Sequence, residues 1–470
     1  MSNLPFGFNP GPGDGDDDRG SSGTGGTGGG GSPTDPLAAM FGAGGGDIGA
    51  AFQRLGQLLS WQGGPVNWDL ARDVARQTVA GSDDPSVTTA DREPVLDALR
   101  LAELWLDEAT SFPSGATSSA AWSRAEWVEA TLPAWRELVD PVAGKVVDSM
   151  GSMLGGEGGP LGAMGIPGLP AEQSAAMSQM AGPLQQMMRS IGGAMFGAQI
   201  GQAVGSLALE VVGSTDVGLP LAPGGRAALL PANVAAFGEG LGVPLDQVRL
   251  YLALREAAHH RLFAHAPWLR AHLVDAVAAY ARGITVDTAR LEEAMGTIDP
   301  TNPESLQQAL TGGLFEPEDT PEQKAALLRL ETALALVEGW VDEVVDAAAS
   351  PHLPASSALR ETVRRRRASG GPGEQTFASL VGLELRPRRL RDAAALWRAV
   401  LAERTQEGRE AVWAHPDLLP TADDLDDPAG FASGGSAPLD LSGLEDTEAP
   451  PEPPLPGADG PGEPDKPARE

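Results

Sequence analysis

Residues 250–263 carry apolar side chains on two opposite faces of one predicted helix, which starts with Asp246 as N-cap and ends after His265. At roughly 100° per residue, its first face consists of Leu250, Leu254 and Ala258. The opposite face consists of Leu252, Glu256, His259 and Phe263. A helix that is apolar on both faces is predicted to be buried all round. Because buried charged groups need partners, the rest of the fold has to supply partners for the ionisable residues of this helix.

The same helix matches a metal-binding pattern at all but one position. Two His at i and i+4 of a helix can bind one zinc ion, and a Glu between them acts as general base, which gives H-E-x-x-H. Glu256 and His259 stand at the Glu and second His positions, and Arg255 stands where the first His belongs. An arginine stays protonated and offers no lone pair to a metal. The motif alone therefore does not establish a metal site, and further ligands would have to come from elsewhere in the chain.

A second long helix, predicted from Thr320 to about Ala349, supplies carboxylates. Thr320 and Gln323 form a capping box with Pro321 at the first helical position. Four of its acidic residues form a row beside the apolar stripe, at Glu331, Glu338, Asp342 and Asp346. Such a row is typical of a solvated helix face, and the alternative is a metal or cation site opposite the central helix.

Composition favours a mainly helical fold with little sheet. Ala and Leu dominate the apolar residues, and runs of β-branched residues are scarce. Two further helices are predicted at 390–404 and 406–413. The sequence contains no Cys, which excludes disulfides and thiolate zinc ligands.

Composition shifts divide the chain into five regions. Residues 1–35 form a Gly- and Asp-rich tail and residues 426–470 an acidic, Pro-rich tail, and both are predicted to be disordered. Residues 36–150 form an N-terminal helical region. Residues 151–170 form a Gly- and Pro-rich loop, and residues 171–425 form the main helical domain.

A ridge of four glycines at i+4 spacing lies in the main domain, at Gly193, Gly197, Gly201 and Gly205. Such a ridge allows two helices to approach closely, in membranes or in soluble cores. The polar residues Gln199, Gln202 and Glu210 argue against a membrane span. We therefore predict no transmembrane segment, and a ridge that packs beneath the central helix.

Charge restricts the partners of this chain. The formal net charge of −31 argues against nucleic acid as a partner. A peptide or protein is the partner class expected. The basic run 364–367 could bind phosphate, but in so acidic a chain an intramolecular partner is favoured. The N-terminus lacks a basic n-region and an apolar h-region, so a cytoplasmic location is expected. The sequence does not predict the oligomeric state.

Together these features resemble the zincin-like hydrolase family, whose members are labelled zinc-dependent metalloproteases. The resemblance extends over roughly residues 50–430 and rests on several segments. These are 254–259, 337–342, 381–384 and 413–421, with the opening segment 4–8. It implies a zincin-like helical domain and zinc-dependent peptide hydrolysis.

The resemblance also implies roles for individual residues. Glu256 would be the catalytic base and His259 a zinc ligand. Glu338 would be the third, acidic ligand, with Asp342 behind it. Arg255 removes one ligand of the three.

Two functional hypotheses follow from Arg255. In the first, the protein is a zinc-dependent peptide hydrolase with a rearranged site that uses His259 with His260 or His265. His259 and His260 point about 100° apart on a helix, so the helix would have to distort. In the second, the protein is a catalytically inactive scaffold or interaction protein in which the charge of Arg255 replaces the metal. The expected partners of Arg255 are Glu256, Glu338 and Asp342.

Overall fold

The computed structural model describes residue 61 and residues 64–155, 171–282, 320–368 and 389–434. Within these ranges the chain is mainly helical with two short strands, which confirms the predicted fold class. The predicted tail 1–35 and the family segments 4–8 and 381–384 lie outside the described residues, as do residues 435–470.

The first part of the chain contains α1 (Trp68–Ala80), α2 (Thr89–Ala109), β1 (Ser118–Ala121) and α3 (Arg124–Gly155). The middle part contains α4 (Ala171–Ala208), β2 (Arg226–Leu229), α5 (Pro231–Gly238), α6 (Leu245–His265) and α7 (Trp268–Arg282). The last part contains α8 (Pro321–Ala349), α9 (Ser356–Ala368), α10 (Leu390–Ala411), the 3-10 turns Val412–Ala414 and Pro416–Leu418, and α11 (Pro428–Ala432). Helix α3 runs into the range predicted as a loop, and α11 lies in the range predicted as the C-terminal tail.

Local chemistry explains where several helices begin and break. Thr88 and Asp91 form a capping box at the start of α2, and Thr320 and Gln323 form the predicted one at the start of α8. Helix α10 is interrupted at Thr405, which has φ 64° and ψ −179°. The break lies between the two helices that the sequence predicted there.

Helix α6 lies at the centre of the described part of the chain. Every residue from Tyr251 to Leu262 is buried, which confirms that the helix is enclosed on all sides. It packs against α2, α5, α8, α9 and strand β2. The helix ends at His265, just before Pro267, because a proline disfavours helical backbone at the residue that precedes it.

The two strands form a small parallel sheet beside α6. Ser118 of β1 pairs with Arg226 of β2, and the register continues to Ala121 and Leu229. On its other side β2 is bridged by Gly213. The sheet brings the backbone of β2 and the segment after Gly213 against the buried face of α6.

The four-glycine ridge of α4 packs against α1, so the prediction that it packs beneath the central helix is wrong. A Cβ added at Gly197 would lie 2.4 Å from the backbone oxygen of Asn67, and one at Gly201 would lie 2.4 Å from that of Ala71. A glycine ridge fits any helix with small residues, and α1 presents Ala71 and Ala75, both buried. Among the described residues, no helix is both long and apolar enough to cross a membrane.

Replacing Gly201 with alanine is expected to lower the free energy of unfolding by about 2 kcal/mol, because the new Cβ would overlap the backbone of α1. Gly192 lies on the same helix and has nothing within 4 Å of an added Cβ. Gly192→Ala is therefore the matched control, and should gain about 0.5–1 kcal/mol from helix propensity. Urea denaturation measures both variants. Equal stability of the two would contradict the packing of α4 on α1.

Candidate functional site

Helices α6 and α8 meet in a cluster of buried charged side chains. The guanidinium Nη2 of Arg255 donates a hydrogen bond to Oε2 of Glu338 at 2.6 Å. The ring Nε2 of His259 lies 3.0 Å from the other carboxylate oxygen of Glu338. These three residues are at most 5% exposed. The three positions at which the family resemblance implies metal ligands thus converge in space, with a guanidinium at the first.

A second guanidinium reaches the same carboxylate from α9. Arg367 lies 2.9 Å from Oε1 of Glu338 and donates to the backbone oxygen of Asp216 at 2.6 Å. Burial alone would raise the pKa of Glu338. Opposing that effect, Arg367, His259 and Arg255 together hold this pKa well below the usual range of a glutamate. Glu338 is therefore a carboxylate enclosed by cations.

Asp342, one turn further along α8, has partners of its own. Its Oδ2 accepts from Arg360 at 2.6 Å and from Arg364 at 2.5 Å, and both arginines belong to α9. The structure therefore places Asp342 against the basic helix α9. The contacts of its carboxylate are with these arginines, while His259 contacts Glu338.

Glu256 binds a different part of the fold. Its Oε1 accepts from the backbone N–H of Ala228 at 3.1 Å and of Ser214 at 3.2 Å. Its Oε2 accepts from the backbone N–H of Thr215 at 3.1 Å and from the hydroxyl of the same residue at 2.7 Å. The hydroxyl of Ser214 also donates to Oε1. This carboxylate fastens strand β2 and the segment after Gly213 to helix α6.

These contacts favour a structural role for Glu256. Burial would raise the pKa of its carboxyl, but the hydrogen bond and charge of His260 and the hydroxyls of Ser214 and Thr215 lower it to about 2. A general base works best with a pKa near the operating pH. His260 lies 3.2 Å from Glu256 and 3.1 Å from the Ser214 hydroxyl, so the structure does not bring it to the Arg255 cluster.

The residues that hold Glu256 were not predicted from the sequence. Ser214 and Thr215 follow Gly213, where an added Cβ would lie 2.6 Å from the Glu256 carboxylate. The available signal was a glycine followed by two hydroxyl residues, five positions after the end of the long helix α4. Besides Ser214 and Thr215, the backbone N–H of Ala228 also donates to Glu256. A backbone N–H cannot be recognised from the residue type, so the sequence gives no signal for this contact.

Comparison with known proteins identifies the family. The family model of the zincin-like metallopeptidases matches residues 66–432. The chain belongs to the zincin-like metallopeptidase family. This confirms the resemblance noted in the sequence, and the match covers most of the chain. No curated protein matches it.

One solved structure shares the fold of this chain. It is a crystal structure from Chloroflexus aurantiacus, described as "a putative hydrolase with a novel fold". The two chains are 21% identical with a TM-score of 0.53, over 79% of this chain and 99% of the other. At this identity the similarity establishes the fold alone.

The residues of the cluster do not fit the zinc ion that the family name implies. His259 and Glu338 have the right chemistry, and Nδ1 of His259 faces the backbone oxygen of Arg255 at 2.8 Å, as in many metal-bound histidines. The guanidinium groups of Arg255 and Arg367, however, contact both oxygens of Glu338. Within the described ranges, no group of three His, Cys, Asp or Glu side chains is arranged to hold a metal.

Proposed function

We propose that this protein is a non-catalytic member of the zincin-like metallopeptidase family, a scaffold or interaction protein whose partner is a peptide or protein. In this proposal Arg255 replaces the metal. The observation that carries it is the 2.6 Å contact between the guanidinium of Arg255 and the carboxylate of Glu338. A cation thus stands at the position where the first metal ligand would be.

The electrostatics of the cluster support this substitution. A buried carboxylate without a counter-charge is costly, and a fixed guanidinium supplies that charge without a metal. Burial alone would lower the pKa of Arg255, but Glu338 raises it, so the arginine stays charged in the core. The ion pair therefore performs the structural part of the role of a metal ion, which is to hold α6 and α8 together.

Burial also supports a role without catalysis. Arg255, Glu256, His259 and Glu338 are all at most 5% exposed. A peptide hydrolase must bring a peptide bond within hydrogen-bond reach of its base. Here the oxygens of Glu256 are already bound by main-chain N–H groups and hydroxyls. We infer that a partner binds the outer surface of this protein and does not enter the cluster.

The alternative is a zinc-dependent peptide hydrolase, as the family name suggests. The observation in its favour is the arrangement of His259, whose Nε2 lies 3.0 Å from Glu338 while its Nδ1 is held by a backbone oxygen. This function requires Arg255 and Arg367 to leave Glu338, so that the carboxylate can bind a metal.

Metal content separates the two functions. Protein purified without added metal is expected to contain no stoichiometric zinc by elemental mass spectrometry, because two arginines already neutralise Glu338. It is also expected to cleave none of a set of quenched fluorescent peptides, with or without added zinc. One equivalent of zinc per chain, removed by a chelator with loss of cleavage, would overturn the proposal.

Arg255→His provides a positive control, because it completes the H-E-x-x-H pattern. This variant is expected to gain saturable zinc binding in calorimetric titration and to be less stable than the wild type without metal. Arg249→His places a histidine elsewhere on α6 and should gain no zinc binding. An Arg255→His variant that binds no zinc and keeps wild-type stability would contradict the role given to Arg255.

A further inference from the structure

Helix α9 lies on the charged cluster but has little apolar attachment to the core. Of its 13 residues, the buried ones are Ser356, Leu359 and Val363. Helix α8, in contrast, is buried along most of its length. Since hydrophobic burial is the main favourable term that fixes a helix to a core, α9 needs another source of attachment.

Arginines provide that attachment. Arg360 lies 2.6 Å from Glu343 and, with Arg364, binds Asp342. Arg366 lies 3.2 Å from the carboxylate of Asp216 and donates to the backbone oxygen of Glu210 at 2.6 Å. Arg367 lies 2.9 Å from Glu338. Ion pairs thus connect α9 both to α8 and to the segment between α4 and β2.

The two ends of α9 are held differently. Before its first turn, the ring of His352 packs against Trp105 with centroids 4.8 Å apart and the ring planes tilted by 38°, and Leu353 is buried. The backbone N–H of Ala355 also donates to the side chain of Gln247 on α6. The C-terminal half is held by Arg364, Arg366 and Arg367. The N-terminal end can therefore act as a hinge while the arginine-bearing end moves.

The contact at the arginine end is tight. Gly218 has a φ of 77° and an added Cβ there would lie 2.8 Å from Glu338 and 3.7 Å from Arg367. Only glycine suits both this backbone conformation and this close approach. The segment before β2 that contains Gly218 thus packs directly against the contact between Arg367 and Glu338.

We propose that α9 is a latch: it closes over the cluster of Arg255, His259 and Glu338 through its arginines, and opens from its C-terminal end without unfolding of the rest of the protein. When α9 opens, Glu338 loses Arg367 and Asp342 loses Arg360 and Arg364, so the α6–α8 seam becomes accessible from outside. This proposal does not depend on whether the wild-type protein binds zinc.

A single-cysteine reporter tests the latch directly, because the chain has no cysteine of its own. Val363 lies on the buried side of α9 and Val344 in the core of α8. In the full chain, the thiol of Val363→Cys is expected to react with a thiol reagent at least about 100-fold faster than that of Val344→Cys, because local opening is more frequent than global unfolding. Raising the salt concentration should accelerate only the Val363→Cys reaction, since salt screens partly exposed ion pairs.

Substitutions of two adjacent arginines distinguish the loss of a specific ion pair from the general effect of removing a positive charge from α9. Arg364→Gln removes a contact with Asp342 and is expected to accelerate labelling of the Val363→Cys protein about tenfold. Arg365 is largely exposed and pairs with Glu361 of the same helix, so Arg365→Gln should leave the rate unchanged. Equal labelling rates at positions 363 and 344, at every salt concentration, would overturn the proposal. This comparison needs no arginine variant, so it stands even if Arg364→Gln fails to fold.

Discussion

Glu338→Gln is expected to lower the free energy of unfolding by about 4 kcal/mol. The substitution leaves the guanidinium groups of Arg255 and Arg367 buried with no carboxylate between them, and removing one partner of a buried ion pair costs about 3–5 kcal/mol. Urea denaturation of both proteins at neutral pH measures the loss. A second substitution, Arg255→Met, should recover part of the lost stability, because it removes one of the two uncompensated charges.

The matched control is a carboxylate on the same helix with a similar partner but a different environment. Asp346 pairs with Arg360, and its side chain is 34% exposed. Asp346→Asn is therefore expected to cost less than about 1 kcal/mol, as exposed ion pairs do. Similar small losses for Glu338→Gln and Asp346→Asn would mean that the buried cluster contributes no more to stability than an ion pair at the surface.

The stability of the protein is expected to fall by about 2 kcal/mol between pH 5 and pH 3 through Glu256 alone. The pKa of this carboxyl is about 2 in the folded chain and near its ordinary value of 4.5 in the unfolded chain. A carboxyl with a depressed pKa stabilises the fold above the unfolded pKa, here by about 3 kcal/mol at neutral pH. This contribution is lost as the pH falls from about 4.5 toward 2, because the unfolded chain then takes up the proton first.

The difference in stability between wild type and Glu256→Gln isolates this effect from that of other carboxylates. Urea denaturation over a series of pH values should give a large difference at pH 5 and above, which narrows toward pH 3. Glu322→Gln, at an exposed glutamate of α8, should show no such narrowing. If the Glu256→Gln difference stayed constant with pH, the pKa of Glu256 would not be lowered in the folded chain, and its hydrogen bonds would not stabilise the ionised carboxylate.

The burial of α6 and its pairing with an acidic helix could be predicted from the sequence. Apolar residues on both faces required a helix enclosed on all sides, and the charge of Arg255 within it required a buried carboxylate. The sequence offered Glu256, Glu338 and Asp342 as candidates. The contact with Glu338 is present because the middle of α8 packs against α6. The family and the mainly helical fold could also be predicted.

Other features depend on information that single residues do not carry. The ridge of α4 could have met any helix with small residues, and the sequence does not distinguish Ala71 of α1 from the alanines of α6. In so acidic a chain, the arginines at 364–367 could be expected to pair with carboxylates of the same chain. The identity of each partner, however, depends on the angle at which α9 crosses α8. The donors to Glu256 include the N–H groups of Ser214, Thr215 and Ala228, and every residue except proline has such a group.

The hydrogen bonds of Glu256 show why a match to a catalytic motif does not by itself indicate catalytic activity. Its carboxylate receives three main-chain N–H groups, from β2 and from the segment after Gly213. A glutamine or an alanine there would leave several of those donors unsatisfied in the core. Assembly of the fold alone is thus reason enough to keep a glutamate at this position, even in a descendant that hydrolyses nothing. The glutamate of such a motif can therefore persist after the chemistry for which the pattern was first recognised is lost.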